Sequence, residues 1–514
     1  MRRALLLCLG LAAVTWLEFQ FFPGHSYLEG DTQIYLPMLE RLDAPGFLSR
    51  DLVATHPNVT YTIYDELTLC LHAAHLDFHA ALVGQQLFCR AAAILGVFLL
   101  ALSTGMGDLF AFALAAVLNL GATLSGPAVS FVDREPVPRA FAFALILLAA
   151  GLLAREKPLL SGLAAGVATV YDPAIAAPFW IVLLLAFACD ARLRSLVRPA
   201  LPILLVFALL LANLAQLQPG VVEGEGFFSK ISDPFAALIE ERTKAVWVSV
   251  WAGREMWHYA AIFVFGIWAT ARIWPALNRQ VRWFLVGLPI CGLLSVLFSY
   301  VLLDRLRWPI MARIEPSRAL LYTVVFASLA CGMAAAYASF AGKKVEASLW
   351  LLFVVGMPLN VRILDFFHFE RADAVNAGFD RAGVGELATW AADQTWGSSM
   401  FLFPDAGRAL YPGVFRAESR RALWVDWESG KLVPYSESFA AEWWQRWEAL
   451  TQEKFSAHHL QEMLPLPVDY FVLQRQNQLR DVRPVFRNRE FVVYDAGDLR
   501  DARKPLALLP PRNF

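Results

Sequence analysis

The chain has 514 residues, 58% of them hydrophobic and only 17% charged, with a formal net charge of −1 and a mean hydropathy of +0.48. That composition excludes an ordinary soluble protein, and the neutral balance gives no sign of a nucleic-acid partner. The six cysteines lie in or beside apolar segments without zinc-type spacing, so neither a disulfide framework nor a structural zinc site is expected.

In chain order, Met1-Arg2-Arg3 is followed by an apolar run from Ala4 to Phe22 with no small-x-small cleavage site before Pro23. It reads as a retained first membrane helix that starts on the cytoplasmic side. A first outer loop, 23–78, carries Glu29-Gly30-Asp31, Arg50-Asp51, His56-Pro57-Asn58 and Tyr61 to Glu66. Long ordered loops of this kind tend to be functional. His72, His75 and His79 share a helical face but lack the His-Glu-x-x-His arrangement, and read as interfacial polar residues.

Further spans are expected at 79–103, 108–127, 138–153, 159–171, 174–189, 199–217, 257–274, 283–303, 318–341 and 347–364. Pro173 in Tyr171-Asp172-Pro173 splits a run too long for one helix. With about eleven spans, Arg155 and Lys157, then Arg192, Arg194 and Arg198, then Arg272, Arg279 and Arg282, then Lys343 and Lys344 fall on the cytoplasmic side. Residues 23–78, 128–137, 218–256, 304–317 and those after 365 then lie outside.

The segment beyond 365 turns polar and aromatic. A helix over 385–394, a strand over 399–403, a strand over 422–427, a Trp-rich helix over 436–450, and strands over 468–473 and 490–494 are expected, with Arg487-Asn488-Arg489 as a turn. The expected architecture is mainly α: a polytopic membrane domain, 1–364, and a small extracytoplasmic α/β domain, 365–514.

Charged residues at span ends are the candidates for chemistry. Ser130 to Arg139 joins two apolar segments and holds Asp133, Glu135 and Arg139. An Asp-x-Glu pair can orient a cation or accept a proton, and an arginine one turn into the next span can hold an anion. The bland alternative is a solvated turn stiffened by Pro136 and Pro138. Asp31 reads either as a general base beside a low-dielectric wall or as a helix N-cap. Arg305, Arg307, Arg313 and Arg318 break the positive-inside pattern. They suit bidentate phosphate contacts, or else snorkel and pair with Asp304 and Glu315. In 415–427 and 442–447, rings and charges alternate. Such surfaces contact sugars or headgroups, or pack the domain on the membrane.

The layout resembles the GT-C superfamily of integral-membrane glycosyltransferases. Asp31 matches the family's first-loop acidic residue, and Asp133-Arg134-Glu135 matches the acidic pair of the second outer loop in position and type. Pro138 to Phe141 with Ser161 to Gly166 looks like uncharacterised bacterial members, as does the pairing of Phe415–Trp427 with Glu442–Arg446. Two motifs differ: the C-terminal segment has no Trp-Trp-Asp, and the first loop has no Asp-Glu pair.

The resemblance implies a polyprenyl-phosphate-linked sugar as donor, a membrane-lipid environment, an unspecified acceptor, and a bacterial plasma-membrane location. Asp31 would be the catalytic base. Asp133, Glu135, Arg139, Arg305, Arg307 and Arg313 would bind substrate, with Asp133 and Glu135 as ligands for a divalent cation (Mg or Mn). A glycolipid or amphiphile transporter (flippase), or a non-catalytic assembly protein, is the alternative.

Overall fold

The computed structural model describes residues 2–56, 62–216, 229–366, 380–502 and 505–509, and their side chains except at 2–4, 215–216 and 357–366. Pro57, Asn58, Tyr61 and the stretches 217–228 and 367–379 therefore lie outside the described residues. Each expected span is a helix: Arg2–Gln20, Phe78–Leu102, Asp108–Asn119, Pro138–Ala154, Pro158–Tyr171, Pro173–Cys189, Leu201–Gln216, Gly253–Ile273, Arg279–Ser299, Leu320–Phe340 and Lys344–Phe366. Five helical stretches among the described residues are long and apolar enough to cross a bilayer, and five further apolar helices are shorter. The chain is a multi-pass membrane protein.

Two boundaries have local causes. The expected break at Asp172 is real: Tyr171 ends one helix, Pro173 begins the next, and the Asp172 carboxylate accepts the Ile175 N–H at 3.0 Å. The expected span 108–127 instead stops at Asn119. Gly121 turns with φ +84°, and the chain enters a small antiparallel hairpin, β1 (Thr123–Leu124) with β2 (Val129–Ser130).

The chain divides into two compact units. The first comprises residues 1–26, 60–231 and 243–368 and holds the apolar helices. Its tightest crossing joins Phe78–Leu102 to Pro138–Ala154, where a Cβ on Gly96 would overlap the backbone of Leu147 and Leu148, and one on Gly151 would overlap Gly96. Small residues permit this approach, which fixes the helix that carries Arg139. Gly96→Ala is expected to cost about 3 kcal/mol, seen as a lower melting temperature in detergent; an unchanged melting curve would contradict the close crossing.

The second unit comprises 27–59, 232–242 and 369–514. The sequence reading put the first two stretches with the membrane domain. Within this unit they pack on the C-terminal segment: the Gln33 amide fills the space a Gly413 side chain would need, and Asp51 accepts the Leu423 N–H at 2.9 Å. Its sheet joins β3 (Met400–Leu402), β4 (Ala422–Leu423), β5 (Tyr470–Gln474), β6 (Phe486–Arg487) and β7 (Phe491–Asp495) in the order β4-β3-β5-β7-β6. The first three are parallel and the others antiparallel. Asn488 makes the turn between β6 and β7, accepting the N–H groups of Glu490 and Phe491. The strand expected over 422–427 is shorter because the chain leaves the sheet after the Trp424 N–H bonds Phe401 O and winds into the turn Glu428–Tyr435.

Candidate functional site

In the membrane unit the 130–137 segment is pinned through its carbonyls. Gln86 donates to Asp133 O at 3.3 Å and Arg134 O at 2.8 Å, and its own carbonyl is held by His25 Nδ1 at 2.8 Å. Buried Arg90 donates to Asp133 O at 3.0 Å and Gly24 O at 2.6 Å, while Phe19 lies under its guanidinium. Tyr64 donates its hydroxyl to Pro136 O at 2.9 Å. The cavity behind this backbone, lined by Gln86, Arg90 and Asn119 among others, holds about 30 Å³, room for one water and not for a sugar. The backbone side of the loop is therefore structural, and its side chains are what a ligand can meet.

With the loop fixed, the Asp133 carboxylate meets Arg139 Nε at 3.0 Å, both side chains more than four-fifths buried. Arg139 lies in the first turn of Pro138–Ala154, where unsatisfied N–H groups and the helix dipole favour an anion. Glu135 is half-buried two residues away.

A further acid joins this group. Half-buried Asp172, in the turn between two helices, feels the charges of Arg318 and Arg139. Burial pushes its carboxyl up; the Ile175 N–H and then the two arginines pull it down. Arg318 stands on the turn Pro316–Ala319 and pairs with Glu315 at 2.8 Å. The result is an alternating row, Asp133–Arg139, Asp172, Arg318–Glu315, across three elements of one unit.

The other expected arginines are engaged differently. Exposed Arg305 bonds the Tyr300 hydroxyl at 2.9 Å and lies over its ring. Arg307 sits at φ +55° with its carbonyl accepting the Ile231 N–H, and Arg313 is half-buried in the short helix Pro309–Ile314. Asp304 accepts the Ser249 N–H at 2.8 Å. The histidines make ring contacts: His72 stacks on Phe78, and His79 meets His25.

Asp31 lies in the second unit. It precedes the helix Thr32–Asp43, yet its side chain makes no capping hydrogen bond; the carboxylate instead meets Lys431 Nζ at 3.0 Å. Lys431 also holds Glu428 at 2.7 Å, and Glu428 faces Arg242 at 3.5 Å. Arg242 and Arg408 lie against the Trp427 ring, 4.2 and 4.1 Å from its centroid. A carboxylate, a lysine and an arginine-clad indole are thus joined in one chain of contacts.

Two of the tryptophans expected to contact sugars or the membrane, Trp443 and Trp447, pack inward instead. Trp443 and Trp447 stack with rings nearly parallel, Trp427 tilts against both, and Trp443 is fully buried. Arg416, from the same aromatic-rich stretch, is buried beside Asp426 and Asp51.

As for metal, Asp133 and Glu135 offer two carboxylates, one already held by Arg139. Among the described residues no group of three or more His, Cys, Asp or Glu could hold an ion. Such a donor set fits only a hard cation completed by substrate phosphates and water.

In backbone the chain is similar to an oligosaccharyltransferase and to ArnT. The Archaeoglobus fulgidus oligosaccharyltransferase matches in its apo form over 90% of this chain and 68% of that one, at 12% identity and a TM-score of 0.44. It matches also when tethered to an acceptor peptide containing the NVT sequon, at 12% identity, the same coverage and a TM-score of 0.47. ArnT from Cupriavidus metallidurans in the apo state matches over 96% of this chain and 98% of that one, at 13% identity and a TM-score of 0.38. No family model and no curated protein matches the sequence.

Proposed function

We propose that the chain is a GT-C-type glycosyltransferase of the bacterial plasma membrane. In this reading its N-terminus is cytoplasmic, and it moves a sugar from a polyprenyl-phosphate donor to an acceptor on the outer face. The observation that carries the reading is the row Asp133–Arg139, Asp172, Arg318–Glu315, charges gathered at the ends of apolar helices in a multi-pass protein. Charge placed there suits a ligand whose phosphate is anchored by a lipid tail. An apolar groove of about 330 Å³ between Arg2–Gln20 and Phe78–Leu102, lined by Leu11, Ala12, Trp16, Leu87 and Ala91, has the chemistry of a prenyl or acyl chain.

Asp31 is the acceptor's base in this reading. Lys431 fixes its direction through the ion pair at 3.0 Å. Arg139, Arg318, Arg307, Arg313 and Arg305 face the phosphate charge. Asp133 and Glu135 orient the donor, and they would hold a divalent cation that neutralises phosphate oxygens. Purified protein given a polyprenyl-phosphate sugar and candidate acceptors tests the proposal. Asp31→Asn is expected to lower turnover about 10²-fold or more with an unchanged melting temperature; equal turnover would remove Asp31 from the mechanism.

A further inference from the structure

We propose that Asp172 is a built-in counter-charge to Arg139 and Arg318, and that it limits how tightly those arginines hold a phosphate-bearing ligand. The inference deepens the reading of the membrane unit given above, but its test does not depend on sugar transfer.

Three observations support it. Arg139 and Arg318 come from different elements, the first turn of Pro138–Ala154 and the turn Pro316–Ala319, yet both segments pack on the Asp172 turn: Phe141 meets the Tyr171 ring edge-on at 5.4 Å, and the Tyr322 hydroxyl donates to Ile175 O. Each arginine also has a carboxylate of its own, Asp133 at 3.0 Å and Glu315 at 2.8 Å, so Asp172 is a third negative charge on a two-arginine patch. Asp172 is held by its helix: its side chain caps Pro173–Cys189 through the Ile175 N–H, so the charge cannot swing away when a ligand arrives.

A phosphate that engages both guanidinium groups must approach this fixed carboxylate, and the two anions repel each other. Capping by itself does not require charge, because asparagine and serine also serve as N-caps. The placement of an aspartate keeps a site that must release its anion after each turnover from binding it too tightly.

Asp172→Asn separates the two roles, since it keeps an oxygen for the Ile175 N–H and removes the charge. The full-length protein in nanodiscs is titrated with inorganic phosphate alone, and separately with a short-chain polyprenyl phosphate, with melting temperature measured alongside. Asp172→Asn is expected to bind both about tenfold more tightly, with a steeper loss of affinity as salt is raised. Tightening for the lipid phosphate only assigns the site to a headgroup; tightening for both assigns it to the phosphate group itself. Arg318→Gln is expected to weaken binding and to erase the gain when combined with Asp172→Asn. Should the asparagine variant fold poorly, Asp172→Ser repeats the comparison with another capping residue. Unchanged or weaker phosphate binding by a folded Asp172→Asn or Asp172→Ser protein overturns the inference. Tighter binding without sugar transfer by the wild type upholds it and rejects the glycosyltransferase reading. Transfer by the wild type with unaltered phosphate affinity in Asp172→Asn does the reverse.

Discussion

Replacing Arg416 by methionine is expected to destabilise the second unit by about 3–5 kcal/mol, much of what a domain of this size has to lose. The side chain is 1% exposed, bonds Asp426 at 2.9 Å, lies 3.9 Å from Asp51, and donates to Gln33 O at 3.0 Å. It therefore joins the helix Thr32–Asp43, the loop at Asp51 and the chain after β4. Methionine matches its bulk but leaves two carboxylates in the interior without their cation. Burial already pushes the Asp51 carboxyl up, with Arg416 the foremost influence in the other direction. Without Arg416 its folded pKa rises further above the unfolded value. The folded variant then binds more protons than the unfolded chain, so its stability is greatest below the unfolded carboxylate pKa and is lost as pH rises through the folded one. Tryptophan fluorescence, to which the Trp427, Trp443 and Trp447 cluster contributes, should show an early unfolding transition at neutral pH that partly recovers in acid. Arg416→Lys should fall between, because a single ammonium cannot bond Asp426 and Gln33 O in the fork geometry.

Arg416 also marks where the sequence becomes hard to read. Helices announce themselves locally: apolar runs at each of the expected segments, five of them of spanning length, and Pro173 after Asp172 fix elements from their own residues. Asp133 and Arg139 were visible too, six residues apart across a proline-bounded turn. Arg90 and Gln86, which hold that turn by its carbonyls, sit inside an apolar helix and bond residues far along the chain. Nothing in their neighbourhood foretells the partner, although an arginine within a membrane span is itself a signal. Lys431 and Arg242 reach the Asp31 surface from segments about 400 and 210 residues away. The aromatic stretches misled for a related reason. A run of Trp and Arg reads as a contact surface, but stacked indoles and a paired guanidinium also build a core, and only the fold decides which.

If the protein transfers sugar as proposed, removing Arg139 should lower that transfer about 10²–10³-fold, with most of the loss in kcat. In the proposed reaction the phosphodiester of a polyprenyl-phosphate sugar carries one negative charge; when its anomeric C–O bond breaks, the departing polyprenyl phosphate would carry a second. A cation near that oxygen gains interaction energy as the bond breaks, so it stabilises the transition state more than the bound donor. Arg139 is suited to this by three features: its guanidinium is more than four-fifths buried, its direction is set by Asp133 at 3.0 Å, and the N-terminal turn of its helix adds field of the same sign. Arg305 offers a contrast. It is exposed and lies over Tyr300, so Arg305→Ala should cost only a few-fold and be screened by salt. Arg139→Lys keeps the charge but not the planar fork, and should recover part of kcat. The discriminating measurement is kcat and KM for Arg139→Ala, Arg139→Lys and Arg305→Ala with one polyprenyl-phosphate sugar. An increase in KM alone for Arg139→Ala would confine this arginine to ground-state binding and move the charge-stabilising role to Arg318, its neighbour across Asp172.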